Sequence, residues 1–195
     1  MAELTNIPMF PLTILPLPGE LVPLHIFEPR YRQLLQDAEV NDIPFGIYFT
    51  HEINDQKIGS LVKLESVIKR YPGGEADIIV KCDDIFTMGM LIRTYRSKPY
   101  PGGEVRFWSV DQNTFPGHEL YDLFLAYLKL RNISQHLNVF NLYQIANELN
   151  MDVSDRYRFL TSPEEKKEVF VLNRIKFQMH LLQQEEKSKD NYYLN

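Results

Sequence analysis

The chain has 195 residues, of which 44% are apolar and 24% are charged, and its formal net charge is −5. This composition is typical of a soluble globular protein, and the mildly acidic charge is not that of a dedicated nucleic-acid binder. The one cysteine, Cys82, excludes an intramolecular disulfide and any metal site built from several thiolates, and it fits a reducing compartment.

The first element is an apolar segment at residues 7–27, "IPMFPLTILPLPGELVPLHIF", which contains no lysine or arginine. A secretory signal would need a basic start and an uninterrupted apolar run, whereas this segment contains five prolines. Each proline removes a backbone N–H donor, so the segment cannot form a membrane helix. We expect an extended strand with a turn at Pro18 and Gly19, in a soluble, cytoplasmic protein with no membrane partner.

A helix is predicted from Pro29, because proline suits the first helical position and Glu28 precedes it near the positive end of the helix dipole. Apolar residues then recur at helical spacing on one face. They are Tyr31, Leu34, Leu35 and Ala38.

Residues 45–110 are predicted to be β-structure. The clearest alternation places Phe86, Met88, Met90 and Ile92 on one face of a strand. The pentapeptide "YPGGE" occurs twice, at residues 71–75 and 100–104. We interpret both copies as turns between neighbouring strands; the alternative is a ligand-binding repeat.

The chain after residue 117 is predicted to be helical. Asn141 and Gln144 have the spacing of a capping box, and Ser162 is the expected N-cap of a long helix. The apolar face of that helix is predicted to comprise Val169, Leu172, Ile175, Met179 and Leu182. The order of elements predicts an α+β protein: a β-rich subdomain at residues 1–115 with one early helix, then an α-helical bundle at residues 116–195.

No catalytic motif is found in the sequence. It contains no G-x-x-x-x-G-K-[ST] loop, no G-x-G-x-x-G fingerprint, no H-E-x-x-H site and no G-x-S-x-G elbow. The acidic neighbours of Cys82 should raise the pKa of its thiol, which argues against a nucleophile. We therefore expect that the protein is not an enzyme, that it has no catalytic or metal-binding residue, and that it needs no cofactor.

The segment at residues 7–38 resembles the start of the N-terminal substrate-binding domain of the ATP-dependent Lon protease. It is most similar to the stand-alone bacterial versions and, more distantly, resembles the Lon-type domain of cereblon. The matching features are residues 8–12, 18–19, 23–27 and 28–31. Residues 58–66 and 75–91, and the helical end from residue 142, also resemble the family, so the likeness covers nearly the whole chain.

The resemblance implies a barrel-like β-subdomain related to the PUA-like fold, followed by a helical bundle. It also implies a non-catalytic module that binds unfolded or exposed apolar polypeptide segments, with a Lon-type protease as a candidate partner in trans. We expect His25, Phe27, Glu28, Arg30 and Tyr31 at the margin of an apolar groove. The alternative is that Phe27 and Tyr31 are core residues and Glu28 is a helix cap.

A second hypothesis is a small-molecule or nucleic-acid binder, because PUA-like folds also serve such ligands. Aromatic residues interleaved with cations could stack single-stranded bases. They are Tyr95, Tyr100, Phe107 and Trp108, among Arg93, Arg96, Lys98 and Arg106. The same composition is typical of strands with one buried and one solvated face, so nucleic acid is not the expected partner.

Overall fold

The computed structural model describes residues 4–133 and 139–192, with side chains described as far as residue 185. The chain divides into two compact units, Met1–Asp111 and Gln112–Asn195. The strands are β1 (Thr5–Leu12), β2 (Leu21–Ile26), β3 (Phe45–Phe49), β4 (Ile58–Arg70), β5 (Ala76–Ile92) and β6 (Gly102–Phe107). The helices are α1 (Pro29–Asn41), α2 (His118–Leu130), α3 (Leu142–Glu148), α4 (Val153–Thr161) and α5 (Glu164–Tyr192).

The first unit contains one sheet, in the order β2-β5-β4-β3-β1-β6, and β6 also pairs with β5. This last pairing closes β5, β4, β3, β1 and β6 into a ring, with β2 outside it. β1 and β3 are parallel, and the other pairs are antiparallel. The prediction of an α+β fold with a barrel-like β-subdomain, one early helix and later helices is confirmed.

β5 is long enough to pair, besides β4, with two strands, β6, which closes the ring, and β2, which lies outside it. This strand has 17 residues. Its first part, Ala76 to Lys81, pairs with β2, and its last part, Phe86 to Ile92, pairs with β6. β2 is therefore an edge strand that continues the sheet beyond the point where β6 closes it.

The predicted alternation along β5 fails near its end. Phe86 and Met88 are buried, but Met90 is 51% exposed. The register with β6 shifts between Met88 and Met90, which is a β-bulge. A bulge inserts one extra residue, so side chains beyond it change faces.

The two "YPGGE" copies have different roles, so the prediction of two turns is wrong for the second. In the first copy Tyr71 N–H donates to Glu75 O at 2.9 Å, and Gly74 has a φ of +91°, as a tight turn requires. In the second copy Gly103 is a buried residue of β6, where a Cβ would lie 2.7 Å from Met9 Cε. Glycine allows close packing there rather than a turn.

The second unit is helical, and α5 packs against α2, α3 and α4. The capping box is confirmed, because Asn141 Oδ1 accepts from Gln144 N–H while Gln144 Oε1 accepts from Asn141 N–H. Ser162 is not the cap of α5; its hydroxyl donates to Arg158 O at the end of α4. None of the described helices is long and apolar enough to cross a membrane.

The buried face of α5 agrees with the predicted one only in part. Among the described side chains of α5, Lys167, Val171 and Ile175 are buried at a spacing of four. Of the predicted residues, Ile175 is buried and Val169 is 55% exposed, while the others, Leu172, Met179 and Leu182, are half-buried. Lys167 was not predicted as a core residue because lysine is rarely buried without partners. Its Nζ donates to Tyr143 Oη at 3.1 Å and to Glu164 Oε1 at 2.5 Å, which satisfies its charge.

Candidate functional site

The first unit contains a largely apolar groove of about 360 Å³. Its walls come from the end of β1, from β2 and from the start of α1, all within the first 31 residues. The lining residues are Phe10, Leu12, Thr13, Ile14, Pro23, Leu24, His25, Phe27, Glu28 and Tyr31. Cavities of this size with few polar groups are typical of ligand-binding sites.

Two aromatic rings lie at the inner side of the groove. Phe10 and Tyr31 are 7% and 4% exposed, and their ring centroids are 4.2 Å apart. Burial raises the pKa of the Tyr31 phenol, so it stays neutral. Phe27 differs from these two residues, because 58% of it is exposed at the rim. A phenylalanine held in water beside an apolar groove is available to contact a ligand.

His25 is held at the rim by a hydrogen-bond chain from β5. Its Nδ1 lies 2.6 Å from Asp77 Oδ1, and Tyr71 Oη donates to Asp77 Oδ2 at 2.7 Å. These hydrogen bonds, from Tyr71 first and then from His25, lower the pKa of Asp77. Because an ionised carboxylate only accepts, Nδ1 of His25 carries the proton between them. The ring therefore has a fixed orientation, and it also stacks on Phe27 with centroids 6.0 Å apart.

Glu28 and Arg30 form an ion pair beside the groove. Arg30 Nε donates to Glu28 Oε2 at 2.9 Å, and the Arg30 guanidinium lies 4.6 Å from the centroid of the Tyr31 ring. Glu28 occupies the N-cap position of α1, but its side chain caps no backbone N–H. The carboxylate is thus paired with a cation and is not used to satisfy the helix end.

Four of the five residues predicted for the site line this groove: His25, Phe27, Glu28 and Tyr31. Arg30 does not line it and reaches it only through Glu28 and Tyr31. Of the two residues given the alternative of a core position, Tyr31 is buried and Phe27 is exposed.

Sequence reasoning missed the wall from β1 and the anchor Asp77. Phe10 and Leu12 line the groove, but the sequence predicted for them only an extended conformation within the apolar segment at residues 7–27. Asp77 lies opposite His25 in the register of β2 with β5, and a pairing across 52 residues of chain has no local signal.

The described residues contain no group of three or more His, Cys, Asp or Glu side chains that could hold a metal ion. Cys82 is buried, and burial, more than the nearby Glu20 and Asp83 carboxylates, raises the pKa of its thiol. The thiol is therefore protonated and shielded from solvent, which does not suit a nucleophile. The groove thus presents an apolar surface with hydrogen-bonded polar side chains at its rim.

The solved structures that share the fold of the chain include two Lon N-terminal domains. One is the crystal structure of a Lon N-terminal domain protein from Xanthomonas campestris, with a TM-score of 0.64 at 20% identity over 90% of this chain and 98% of that chain. The other is the N-terminal domain of the Mycobacterium avium complex Lon protease, with a TM-score of 0.61 at 16% identity over 92% of this chain and 98% of that chain. The chain thus has the fold of a Lon N-terminal domain.

The sequence makes the assignment more specific. The family model of the ATP-dependent protease La (LON) substrate-binding domain matches residues 6–184. The chain belongs to this family, which confirms the resemblance seen in the sequence. No curated protein matches the chain.

Proposed function

We propose that the chain is a non-catalytic module that binds extended, apolar segments of unfolded polypeptides in the groove between β1, β2 and α1. The observation that carries the proposal is the groove itself, an apolar cavity with an exposed phenylalanine at its rim in a member of a substrate-binding family. The module delivers such segments to a separate partner, and a Lon-type protease acting in trans is the candidate.

The polar side chains at the rim are bonded to one another and do not form a cationic surface. The Asp77 carboxylate is hydrogen-bonded to His25 and Tyr71, and Glu28 forms an ion pair with Arg30. A nucleic acid would instead need an excess of cations aligned with its phosphates. The side chains at the rim therefore favour an apolar polypeptide over a nucleic acid.

Phe27→Ala tests the groove directly. The probe is a fluorescein-labelled ten-residue peptide in which leucine and threonine alternate, with a lysine at each end. We expect Phe27→Ala to weaken binding about tenfold, because it removes an aromatic ring that is 58% exposed at the rim of the groove. Fluorescence anisotropy titration at two salt concentrations gives the dissociation constant, which should depend little on salt.

Val40→Ala is the matched control, because Val40 is a 75% exposed apolar residue of α1 that does not line the groove. The affinity of the Val40→Ala variant for the peptide should equal that of the wild type. Equal losses in the two variants, or no peptide binding by the folded wild type at micromolar concentration, would contradict the proposal. Salt-sensitive binding of single-stranded RNA in place of the peptide would favour the nucleic-acid alternative.

A further inference from the structure

β2 has one edge without a partner strand among the described residues of the first unit. It pairs with β5 on one side and stands at the end of the strand order. An edge strand presents a row of backbone N–H and C=O groups that are not used in the sheet. Such a row of groups can pair with the backbone of another strand.

The hydrogen bonds at the start of β2 show which residues face outward. Cys82 N–H donates to Glu20 O at 2.9 Å, and Gly19 N–H donates to Cys82 O at 2.8 Å. Cys82 therefore directs its backbone groups towards β2. Because these directions alternate along an antiparallel ladder, Val22, Leu24 and Ile26 bond to β5. The backbone groups of Leu21, Pro23 and His25 then point outward.

Pro23 agrees with this assignment. Proline has no N–H to donate, so it fits an edge strand only where that position faces away from the partner. Pro23 lies opposite Ile79 in the register with β5, at one of the outward positions. The outer edge of β2 thus offers carbonyl acceptors at residues 21, 23 and 25, and N–H donors at Leu21 and His25.

The groove follows this same edge. Pro23, Leu24 and His25 all line it, although consecutive side chains of a strand point to opposite faces of the sheet. Pro23 and His25 therefore belong both to the lining of the groove and to the outer edge of β2, so the apolar wall and the outward backbone groups share these two residues.

We propose that the polypeptide binds as an additional β-strand, pairing its backbone with the outer edge of β2 while its apolar side chains fill the groove. This inference rests on the proposed function and adds the binding mode to it. A polypeptide backbone in the extended conformation presents N–H and C=O groups at the same two-residue period as the edge. The polar side chains of the rim are hydrogen-bonded to one another, Asp77 with His25 and Glu28 with Arg30, which suits a segment without charged side chains. Recognition through the backbone requires no particular order of side chains.

Two peptides with ester bonds test the mode. In the alternating probe, all amides of the leucines are replaced by esters in one peptide, and all amides of the threonines in the other. Each ester removes an N–H donor and adds no bulk. Because only alternate residues of an added strand face β2, we expect one peptide to bind about tenfold more weakly than the unmodified probe, and the other about equally.

The ester peptides separate this inference from the proposed function. If the unmodified probe binds and the two ester peptides show equal affinities, the strand mode is overturned while the proposed function stands. If the unmodified probe does not bind, both the strand mode and the proposed function are contradicted.

Two variants of the protein test whether the outward N–H of residue 25 in β2 takes part in binding. His25→Ala and His25→Pro both lack the imidazole, but only the proline variant lacks the outward N–H at this position. We expect His25→Pro to bind the probe about fivefold more weakly than His25→Ala, with circular dichroism confirming that both are folded. Equal affinities of the two folded variants would overturn the mode. If sedimentation shows a wild-type dimer that His25→Pro dissociates, the edge is a self-interface and the proposal is wrong.

Discussion

At the scale of single residues, Asp37 shows how α1 is held in place beside the groove. Its side chain is buried, accepting from Tyr100 Oη at 2.6 Å and from Lys98 Nζ at 3.0 Å. Burial alone would raise the pKa of Asp37, but the hydrogen bonds from Tyr100, Lys98 and Gln33 lower it below its ordinary value of 3.8. Since Tyr31 lies on the same helix, this carboxylate stabilises one wall of the groove.

We predict that Asp37→Asn lowers the free energy of unfolding by about 2 kcal/mol at pH 7, because a buried tyrosine and a lysine lose their charged acceptor. A carboxyl with a lowered folded pKa contributes its stability above the unfolded pKa and loses it as the pH falls through the folded value. The difference between wild type and variant should therefore be full at neutral pH and shrink below pH 3.8. Urea unfolding of the wild type and the variant, at pH 7 and again below pH 3.8, measures this difference in the free energy of unfolding.

Asp42→Asn is the control for this titration. Asp42 pairs with Lys63 at 2.7 Å, but its side chain is 77% exposed, so we expect little change in stability at either pH. An Asp37→Asn difference that stays constant, or grows, as the pH falls below 3.8 would contradict the assignment of its stability to the ionised carboxylate.

At the scale of secondary-structure elements, β4 packs closely against its neighbours at Gly59. A Cβ at this position would lie 2.5 Å from Ile47 O, a backbone atom of β3 that cannot move alone, and would also clash with the Phe86 ring. At the bulge of β5, a Cβ on Gly89 would lie 3.5 Å from Glu104 O, an ordinary contact. The two glycines belong to paired strands of the same sheet but differ in the room around them.

We predict that Gly59→Ala lowers the free energy of unfolding by about 3 kcal/mol, because the added methyl group forces β3 and β4 apart. Gly89→Ala should change it by less than about 0.5 kcal/mol. Chemical denaturation of both variants against the wild type gives the comparison. Equal effects would show that the close approach at Gly59 does not determine stability.

The same elements show what the sequence could predict. Local signals were sufficient for α1, which starts at Pro29, and for the capping box at Asn141, because their partners are within a few residues. The bulge after Met88 and the strand role of Gly103 depend on the register between β5 and β6, which the sequence of either strand alone does not indicate.

The residues of the groove also include some that a local pattern could predict and others that it could not. His25, Phe27, Glu28 and Tyr31 could be anticipated together because they are close in sequence. The Phe10 wall and the Asp77 anchor come together only when β1, β2 and β5 take their places in the sheet.

At the scale of the whole molecule, the proposed binding surface is built from the residues of one unit alone. Every residue that lines the groove belongs to the unit Met1–Asp111, and so do the hydrogen-bonded pairs at its rim. This unit closes its own ring of strands and has its own buried core. A unit with a separate core is able to fold alone in principle.

We predict that residues 1–111 fold alone and bind the alternating leucine–threonine peptide with an affinity within about threefold of that of the full chain, because the groove needs no side chain from beyond residue 111. Circular dichroism should show β-structure with cooperative unfolding, and anisotropy titration gives the affinity. Phe27→Ala should weaken binding by the same factor in the fragment as in the full chain. A folded fragment that does not bind would show that the helical unit contributes to the binding surface, and an unfolded fragment would show that the β-unit depends on the helices for its stability.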